Sequence, residues 1–281
     1  MPATCSGDSA RSSTTRTCGW SGLPSGNRNT PVPATPGTEL YLKEVFSSLQ
    51  GEGVFIGRRQ LFVRLAQCNL ACAYCDTDYA VTALWHAEEE PGGARGEDYP
   101  NPAAPAFLTA LVARCLKQLP AHHSLALTGG EPLVQSQALA EWLPDLSQCL
   151  PVYLETNGTL PDAMERLLPF VSWVSLDIKL SGTTGVPTPW EAHAAFLEVS
   201  RPKACQAKIV IDASTTEEEL VAAARLLRQH GPDLPLILQP RTVAGRPAFV
   251  GRQLLRLQAL VASEHPATLV IPQMHPLLDI R

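Results

Sequence analysis

Short apolar runs alternate with helical patterns along most of the chain. Seven runs have the length and composition of buried strands, and they cover residues 61–65, 124–127, 152–154, 173–176, 207–211, 236–238 and 268–271. Apolar residues at helical spacing predict helices over residues 106–119, 216–230 and 253–263. Thr216 stands directly before three glutamates, which is typical of a helix N-terminus. Because strands that alternate with helices form parallel sheets, the pattern predicts an α/β fold with its functional residues at the carboxyl ends of the strands.

Two segments lack this periodicity. Residues 1–38 are rich in Ser, Thr, Pro and Gly, and they carry Arg11, Arg16 and Arg28 against a single acid, Asp8. Such a composition buries too little apolar surface to fold, so it predicts a disordered tail, with an organelle transit peptide as the alternative. Residues 88–105, with their acids, glycines and prolines, predict a surface loop. The folded domain is therefore expected over residues 39–281.

Composition narrows the classes of function. The 281-residue chain has a net charge of −5, which gives no general basic surface for nucleic acid. It has no apolar run of the about 18 residues that would cross a membrane. Three of the eight cysteines are clustered, and the others are scattered and expected to be plain core or tail residues: Cys5, Cys18, Cys115, Cys149 and Cys205. Since no secretory segment precedes them, a reducing, cytoplasmic compartment is predicted.

Polar groups follow most of the predicted strands. Cys68, Cys72 and Cys75 come after the first strand, and Thr128-Gly129-Gly130-Glu131-Pro132 ends the second. The later strand ends carry Glu155-Thr156-Asn157-Gly158, then Ser175, Asp177 and Lys179, then Gln239-Pro240-Arg241, and finally Gln273 and His275. Their shared place at one edge of a parallel sheet predicts a single site. The two glycines are expected to let the backbone approach a ligand and to expose N–H groups to it.

The cysteine cluster is the strongest chemical signal. Its three members lie within eight residues, spaced Cys-x3-Cys-x2-Cys. Four thiolates would complete the coordination of a zinc ion or a cubane iron–sulfur cluster, whereas three leave one metal position open for chemistry. A zinc site that takes a distant histidine as its fourth ligand is the alternative interpretation.

This spacing, with Tyr74 before the last cysteine and the Gly129-Gly130-Glu131-Pro132 run downstream, resembles the radical S-adenosylmethionine superfamily. The resemblance implies that Cys68, Cys72 and Cys75 hold a [4Fe–4S] cluster whose remaining iron binds the amino and carboxylate groups of S-adenosylmethionine. Reductive cleavage then gives methionine and a 5′-deoxyadenosyl radical. The cofactors supply the difficult chemistry, and the protein supplies position and water exclusion.

A narrower resemblance covers residues 41–281, which look like 7-carboxy-7-deazaguanine synthases. It rests on Phe46-Ser47-Ser48-Leu49-Gln50-Gly51-Glu52-Gly53, Gly57-Arg58, residues 62–70, Cys75-Asp76-Thr77, Gln239-Pro240 and Gln273-Met274-His275. It implies a partial, open TIM-like barrel of parallel strands with outer helices, assembled as a homodimer. It also implies a carbon–nitrogen lyase of queuosine (7-deazapurine) biosynthesis that converts 6-carboxy-5,6,7,8-tetrahydropterin to 7-carboxy-7-deazaguanine, with ring contraction and loss of ammonia. Mg²⁺ and an electron donor such as flavodoxin would take part.

Residue roles follow from the same resemblance. The cofactor-binding residues it implies are Tyr74, Cys75, Asp76, Gly130, Ser175, Asp177, Lys179, Gln239 and Pro240. The substrate-binding residues it implies are Leu49, Gln50, Gly51, Glu52, Arg64, Thr128, His275 and Arg281, the last through its α-carboxylate. Thr77 matches the magnesium ligand, which would need substrate oxygens and water to complete the coordination.

Several of these residues also have ordinary structural explanations. Arg64 suits a substrate carboxylate, but it could instead form a surface ion pair. Thr77 could cap a turn, and His275 could be a structural histidine. Arg281 carries a charged side chain, so its α-carboxylate could either enter the site or stay outside it.

Two other classes of function share some of these features. A glycyl-radical-enzyme activase has the same cysteine motif but acts on a protein, and the Leu49–Gly53 stretch, Arg64 and the C-terminal residues argue against it. A non-catalytic binding protein with a structural metal is the second alternative, which iron and sulfide assays would distinguish.

Overall fold

The computed structural model describes residues 38–280. The predicted tail therefore lies outside the described residues except for Thr38, and so does Arg281. The strands are β1 Leu42–Leu49, β2 Arg59–Leu65, β3 Leu84–Glu88, β4 Gly96–Pro100, β5 Ser124–Gly129, β6 Val152–Thr156, β7 Trp173–Asp177, β8 Ala204–Ile211, β9 Leu236–Pro240, β10 Thr242–Val243, β11 Arg246–Pro247 and β12 Thr268–Val270. The helices are α1 Pro105–Gln118, α2 Ser136–Cys149, α3 Pro161–Leu167, α4 Ser181–Thr184, α5 Trp190–Ser200, α6 Glu217–His230, α7 Gly251–Glu264 and α8 His275–Leu278, with two 3₁₀ turns at Gly53–Phe55 and Pro132–Gln135.

Ten strands form one sheet in the order β12-β9-β8-β7-β6-β5-β2-β1-β3-β4. The seven predicted strands, β2, β5, β6, β7, β8, β9 and β12, run parallel to one another. The sheet stays open, with β12 and β4 at its edges, and the helices pack on its outer side, so the prediction of a partial TIM-like barrel is confirmed.

Three strands at one end of the sheet were not predicted. β1 pairs antiparallel with β2, β3 pairs with β1, and β4 pairs antiparallel with β3. The prediction of a surface loop over residues 88–105 is therefore wrong for the last residue of β3, for β4 and for the first residue of α1. Polar residues such as Lys43, Glu44, Ser47 and Ser48 interrupt β1, and such a half-buried antiparallel strand lacks the continuous apolar run of a central strand.

Along each parallel strand, successive side chains point alternately to the outer and the inner face of the sheet, so the two faces carry different residues. In β2, Leu61, Val63 and Leu65 belong to the large core beneath the helices. Phe62 points to the opposite, inner face, where it joins a small cluster with Phe46, Ala126 and Tyr153. Polar residues of the inner face can therefore meet in the interior of the open barrel.

The connection between β1 and β2, residues 50–58, crosses this inner face. Its Phe55 ring packs against the rings of His123, Tyr153 and Trp173, with centroid distances of 5.1, 5.4 and 5.2 Å. The backbone N–H of Val54 donates to the side-chain oxygen of Gln206 at 2.6 Å. We call residues 50–58 the crossing segment, and its aromatic contacts fix it over the floor of the barrel.

Helix ends agree with the sequence signals within two residues. Thr216 caps α6 through a reciprocal capping box with Glu219, which confirms the predicted N-terminus. Cys115 is a buried free thiol and Cys205 is a half-buried one, whereas Cys5 and Cys18 lie outside the described residues. Among residues 38–280, no helix has both the length and the apolar character of a membrane span.

Candidate functional site

One cavity of about 250 Å³ lies at the carboxyl ends of the parallel strands. It is lined by Glu52, Cys68, Leu70, Cys72, Tyr74, Cys75, Asp76, Thr77, Tyr79, Thr128, Gly129, Gly130, Glu155, Thr156, Asn157, Ser175, Asp177, Lys179, Lys208, Val210, Gln239, Arg241, Thr242 and Gln273. The structure thus brings most of the residues singled out in the sequence into one place. Its lining includes two carboxylate–cation pairs in direct contact, Glu52 with Lys208 and Asp177 with Lys179.

The three cysteines form one wall of the cavity. The turn out of β2 is made at Gln67, whose φ is 68° and whose N–H donates to the Tyr79 carbonyl at 2.7 Å. Farther along, the N–H of Ala73 donates to the Thr184 carbonyl at 2.8 Å, which ties the cysteine loop to α4. Burial raises the pKa of the Cys68 and Cys72 thiols, so both must lose protons when they bind a metal.

These cysteines fit an iron–sulfur cluster. All three are free thiols and all three line the same cavity. Within residues 38–280, no three Cys, His, Asp or Glu side chains lie close enough to share a single metal ion. A cubane takes each thiolate on a separate iron, so it suits three sulfurs that surround a space.

The Gly129-Gly130 turn packs tightly against the start of the cysteine loop. A Cβ atom on Gly130 would lie 1.8 Å from the Gln67 carbonyl oxygen, and one on Gly129 would lie 2.2 Å from the Leu65 carbonyl oxygen. The N–H of Gly130 donates to Leu65 and that of Glu131 donates to Gln67. The expectation that this turn exposes its N–H groups to a ligand is therefore wrong for Gly130, because its N–H is used within the protein. Gly130 still lines the cavity.

Glu131 joins this turn to the end of β6. Its buried carboxylate accepts from the N–H of Leu133 at 3.1 Å, the hydroxyl of Thr156 at 2.8 Å and the N–H of Asn157 at 2.7 Å. Burial raises its pKa to about 7 against these hydrogen bonds. The Asn157 amide donates in turn to the side chain of Asn69 at 2.9 Å, inside the cysteine loop. Three motifs that are distant in sequence are therefore held by one hydrogen-bond chain.

Residues predicted to bind the cofactor form a second group. The Lys179 ammonium lies 2.7 Å from Asp177 and donates to the Tyr74 hydroxyl at 3.0 Å. Burial opposes its charge, but Asp177 and Tyr74 raise the pKa of Lys179 well above its usual value. Ser175, Asp76 and Gln239 also line the cavity, whereas Pro240 is buried in β9 and is not among the lining residues.

Glu52, on the crossing segment, contributes its carboxylate to the cavity lining. Its carboxylate forms an ion pair with Lys208 and accepts from the amides of Gln239 at 3.0 Å and Gln273 at 2.8 Å. Burial alone would raise the pKa of Glu52, but Lys208 and the two amides lower it to about 2. Glu52 is therefore ionised at neutral pH.

A second buried carboxylate lies on the same side. Glu155 accepts from the Thr128 hydroxyl at 2.6 Å and from the Gln50 amide at 2.7 Å. Burial and the charge of Glu52 raise its pKa. Thr128 and Glu155 line the cavity, and Gln50 supports Glu155 from behind.

The C-terminal residues hold the start of the crossing segment. The N–H of Met274 donates to the Gly51 carbonyl at 2.9 Å, and the His275 ring contacts the Leu49 carbonyl at 3.2 Å. A Cβ atom on Gly51 would lie 2.4 Å from the His275 ring. Leu49, Gly51 and His275 are therefore packed together behind the cavity and do not line it.

Two other predicted site residues have different surroundings. Arg64 forms an ion pair with Glu44 at 3.0 Å and lies over the Phe46 ring at 5.4 Å, so it is not among the lining residues. Thr77 lines the cavity, and its hydroxyl lies 3.3 Å from an Asp76 oxygen.

Lys208 lines the cavity although no sequence motif marks it as a site residue. A lysine is seldom buried without a partner, so its place in the apolar run 207–211 was a usable signal. Glu155 and Gln273 follow predicted strands and both line the cavity, but their position in the sequence does not indicate which groups they bind.

Comparisons with known proteins agree with this geometry. Residues 63–186 match the radical SAM superfamily. The 7-carboxy-7-deazaguanine synthase of Geobacter sulfurreducens is 39% identical over 243 residues, which are 85% of this chain and 96% of the relative. That of Methanothermobacter thermautotrophicus is 33% identical over 257 residues, with the same two coverages. The crystal structure of QueE from Escherichia coli is 22% identical, with a TM-score of 0.51 over 84% of this chain and 94% of that one, and supports the fold.

Proposed function

This chain belongs to the 7-carboxy-7-deazaguanine synthase family of the radical S-adenosylmethionine superfamily, and we propose that it converts 6-carboxy-5,6,7,8-tetrahydropterin to 7-carboxy-7-deazaguanine. It is a lyase of 7-deazapurine biosynthesis. The observation that carries the proposal is that three free thiols and the Glu52 carboxylate line the same small cavity. A metal-binding wall and a polar recognition wall thus border one space.

The cofactor side is formed by the cysteine loop and β7. Cys68, Cys72 and Cys75 would hold a [4Fe–4S] cluster. When bound, the cluster and S-adenosylmethionine supply the one-electron chemistry that starts the reaction. The residues proposed to hold S-adenosylmethionine are Tyr74, Asp76, Gly130, Ser175, Asp177, Lys179 and Gln239, and Pro240 supports Gln239 from β9.

The substrate side is formed by the crossing segment, β5 and β6. A pterin presents a guanidine-like edge, which an ionised carboxylate such as Glu52 binds by charge-assisted hydrogen bonds. Thr128 is proposed as a further direct contact, and Leu49, Gln50, Gly51 and His275 as residues that shape this wall. The Arg281 carboxylate remains a predicted contact.

Two roles require rearrangement or additional ligands. Arg64 can bind the pterin carboxylate bidentately only if it exchanges its ion pair with Glu44. Thr77 is proposed as a Mg²⁺ ligand, with the remaining octahedral positions taken by substrate oxygens and water.

The proposal extends to partners and compartment. An electron donor such as flavodoxin would supply the reducing equivalent, and an oxygen-sensitive cluster suits the cytoplasm. A homodimer is proposed from the family resemblance, and light scattering should then give twice the 30.3 kDa mass of the chain. A mass equal to one chain at micromolar concentration would contradict the dimer.

The deciding experiment is anaerobic turnover. Reconstituted protein is incubated with the carboxytetrahydropterin, S-adenosylmethionine, Mg²⁺ and a reductant, and 7-carboxy-7-deazaguanine is the expected product. Cleavage of S-adenosylmethionine without this product would refute the specific activity while leaving the superfamily assignment intact.

Two variants divide the site. Cys72→Ala should lose the cluster iron, whereas Arg64→Ala should keep iron and raise the KM for the pterin. Glu44→Gln is the matched control, because it removes the partner of Arg64 and leaves the guanidinium available. An Arg64→Ala protein without iron would contradict this division of roles.

A further inference from the structure

Two inward-facing residues of β8 make parallel connections that no role above accounts for. Gln206 accepts from the Val54 N–H at 2.6 Å and donates to the Ser175 hydroxyl at 2.7 Å. Lys208 pairs with Glu52 and lies 3.4 Å from Asp177. Each of the two therefore joins one residue of the crossing segment to one residue of β7.

Both side chains are buried, so each depends on its partners inside the protein. Gln206 is 1% exposed, and the Lys208 side chain is 10% exposed. A Cβ atom on Gly53 would lie 2.0 Å from the Gln206 amide, so the crossing segment approaches β8 as closely as a glycine backbone allows. A buried amide or ammonium that loses its partner is costly, which favours one fixed arrangement.

We propose that Gln206 and Lys208 form a clamp that sets the pterin-binding Glu52 in register with Ser175 and Asp177 on the cofactor side. They act as positioning residues, because they fix other groups of the site. The clamp makes cleavage of S-adenosylmethionine productive by holding the pterin where hydrogen abstraction can follow. This role rests on the proposed function, whereas the clamp itself is a property of the folded chain.

Lys208 also determines the charge of Glu52. The charged and titratable groups facing Glu52 are Lys208 from β8 and Glu155 and Tyr153 from β6, with Asp177 and Lys179 beyond Lys208. If Lys208 is replaced by Met, burial and the charge of Glu155 will raise the pKa of Glu52. Product formation in Lys208→Met should therefore fall as the pH is lowered toward 5, and Lys208→Arg should restore a flat profile.

The first test needs no substrate. Hydrogen exchange of peptides covering residues 50–58 is measured in the full-length protein and its variants. Gln206→Leu and Lys208→Met should speed exchange in this segment by about tenfold. Ile209→Val is the matched control, because Ile209 lies on the same strand but faces the outer core. Unchanged exchange in both clamp variants would overturn the clamp.

The second test measures coupling in the reconstituted enzyme. The ratio of 5′-deoxyadenosine to 7-carboxy-7-deazaguanine should rise about fivefold or more in Gln206→Leu and Lys208→Met, with iron content unchanged. Ile209→Val and Lys208→Arg should stay near the wild-type ratio. A wild-type ratio and a flat pH profile in Lys208→Met would overturn the positioning role.

The two tests separate the possible failures. If the wild-type protein makes no 7-carboxy-7-deazaguanine, the proposed function fails, and hydrogen exchange still decides whether the clamp exists. If the wild-type protein makes the product and the clamp variants exchange and turn over normally, only the clamp fails.

Discussion

At the scale of single residues, His193 shows how a side chain outside the cavity can control its shape. The buried ring donates from Nδ1 to the Gly158 carbonyl at 3.2 Å, and its Nε2 accepts from the Lys179 N–H at 3.1 Å. Burial lowers the pKa of His193 to about 4. The neutral ring therefore ties the end of β6 to the residue that contacts Tyr74 and Asp177, and a protonated ring could not accept from Lys179.

This arrangement predicts a loss of stability in mild acid. The folded-state pKa is about 4, below the value of 6.5 expected when the protein is unfolded, so the unfolded state binds the extra proton first. The contribution is complete above pH 6.5, is lost progressively as the pH falls below 6.5, and is gone once the pH has fallen through 4. The free energy of unfolding should drop by about 2 kcal/mol from this residue between pH 7 and pH 5.

The measurement is denaturant unfolding at both pH values. His193→Gln removes the titrating ring, so its change between pH 7 and pH 5 should be smaller than that of the wild type by about this 2 kcal/mol. An equal pH dependence in the two proteins would show that His193 is not the acid-sensitive group.

A second prediction at this scale concerns Gly130. An added methyl group would overlap the Gln67 carbonyl oxygen, which belongs to the backbone and cannot rotate away. Gly130→Ala should therefore lower the free energy of unfolding by about 2 kcal/mol or more and displace the cysteine loop, reducing cluster iron. Gly245→Ala is the control for adding a methyl group to a glycine without crowding. Open space surrounds Gly245, and an alanine there is strained only by the positive φ. Full iron loading in Gly130→Ala would contradict the prediction.

At the scale of elements, the sequence patterns predicted the central strands better than the edge. The parallel strands are buried on both faces, so they read as apolar runs that periodicity detects. β4 has the composition Gly-Glu-Asp-Tyr-Pro, and only its pairing with β3 makes it a strand. Tertiary pairing of this kind is not encoded in local propensity.

The same reasoning explains which site residues could be predicted. Cys68, Tyr74, Gly130 and Lys179 stand in motifs or at strand ends, and all of them line the cavity. Lys208 interrupts a strand interior, and its role depends on Glu52, 156 residues earlier in the chain. Such a contact depends on whether the side chain of a strand residue points into or out of the barrel. That direction is known only once the register of the strand is known.

One element-scale prediction isolates helix stability from function. Thr216 closes the capping box of α6, on the outer side of the sheet. Thr216→Ala should lower the free energy of unfolding by about 1 kcal/mol. The KM for the pterin and the iron content should not change. A loss of iron in this variant would mean that α6 supports the site more directly than its position indicates.

At the scale of the whole molecule, the cavity is closed by residues from nearly opposite ends of the described chain. Glu52 lies on the crossing segment near the start, and Gln273 follows the last strand and donates to it at 2.8 Å. Most of the proposed cofactor wall lies between them in sequence. Recognition of the pterin should thus depend on the contact between Glu52 and the C-terminal residues more than binding of the cofactor does.

A truncation tests this dependence. A chain that ends at Pro272 should retain cluster iron, because among the described residues no hydrogen bond joins Cys68, Cys72 or Cys75 to residues 273–280. It should raise the KM for the pterin by about tenfold, since Glu52 loses the Gln273 amide and Gly51 loses its packing against His275. Gln273→Ala is the milder companion variant. An unchanged KM in the truncated chain would show that the C-terminal residues do not shape the pterin site.

The packing of Gly130 separates the structural meaning of the glycine run from the chemical meaning of the cysteines. Backbone crowding next to Leu65 requires glycine at position 129, and crowding next to Gln67 requires it at position 130, independently of whether a cofactor is ever bound. A descendant that lost its cysteines would still be destabilised by replacing those glycines. The cysteine triplet therefore reports chemistry, whereas the glycine run reports architecture, and a chain with only the glycine run would be a structural relic and not an enzyme of this kind.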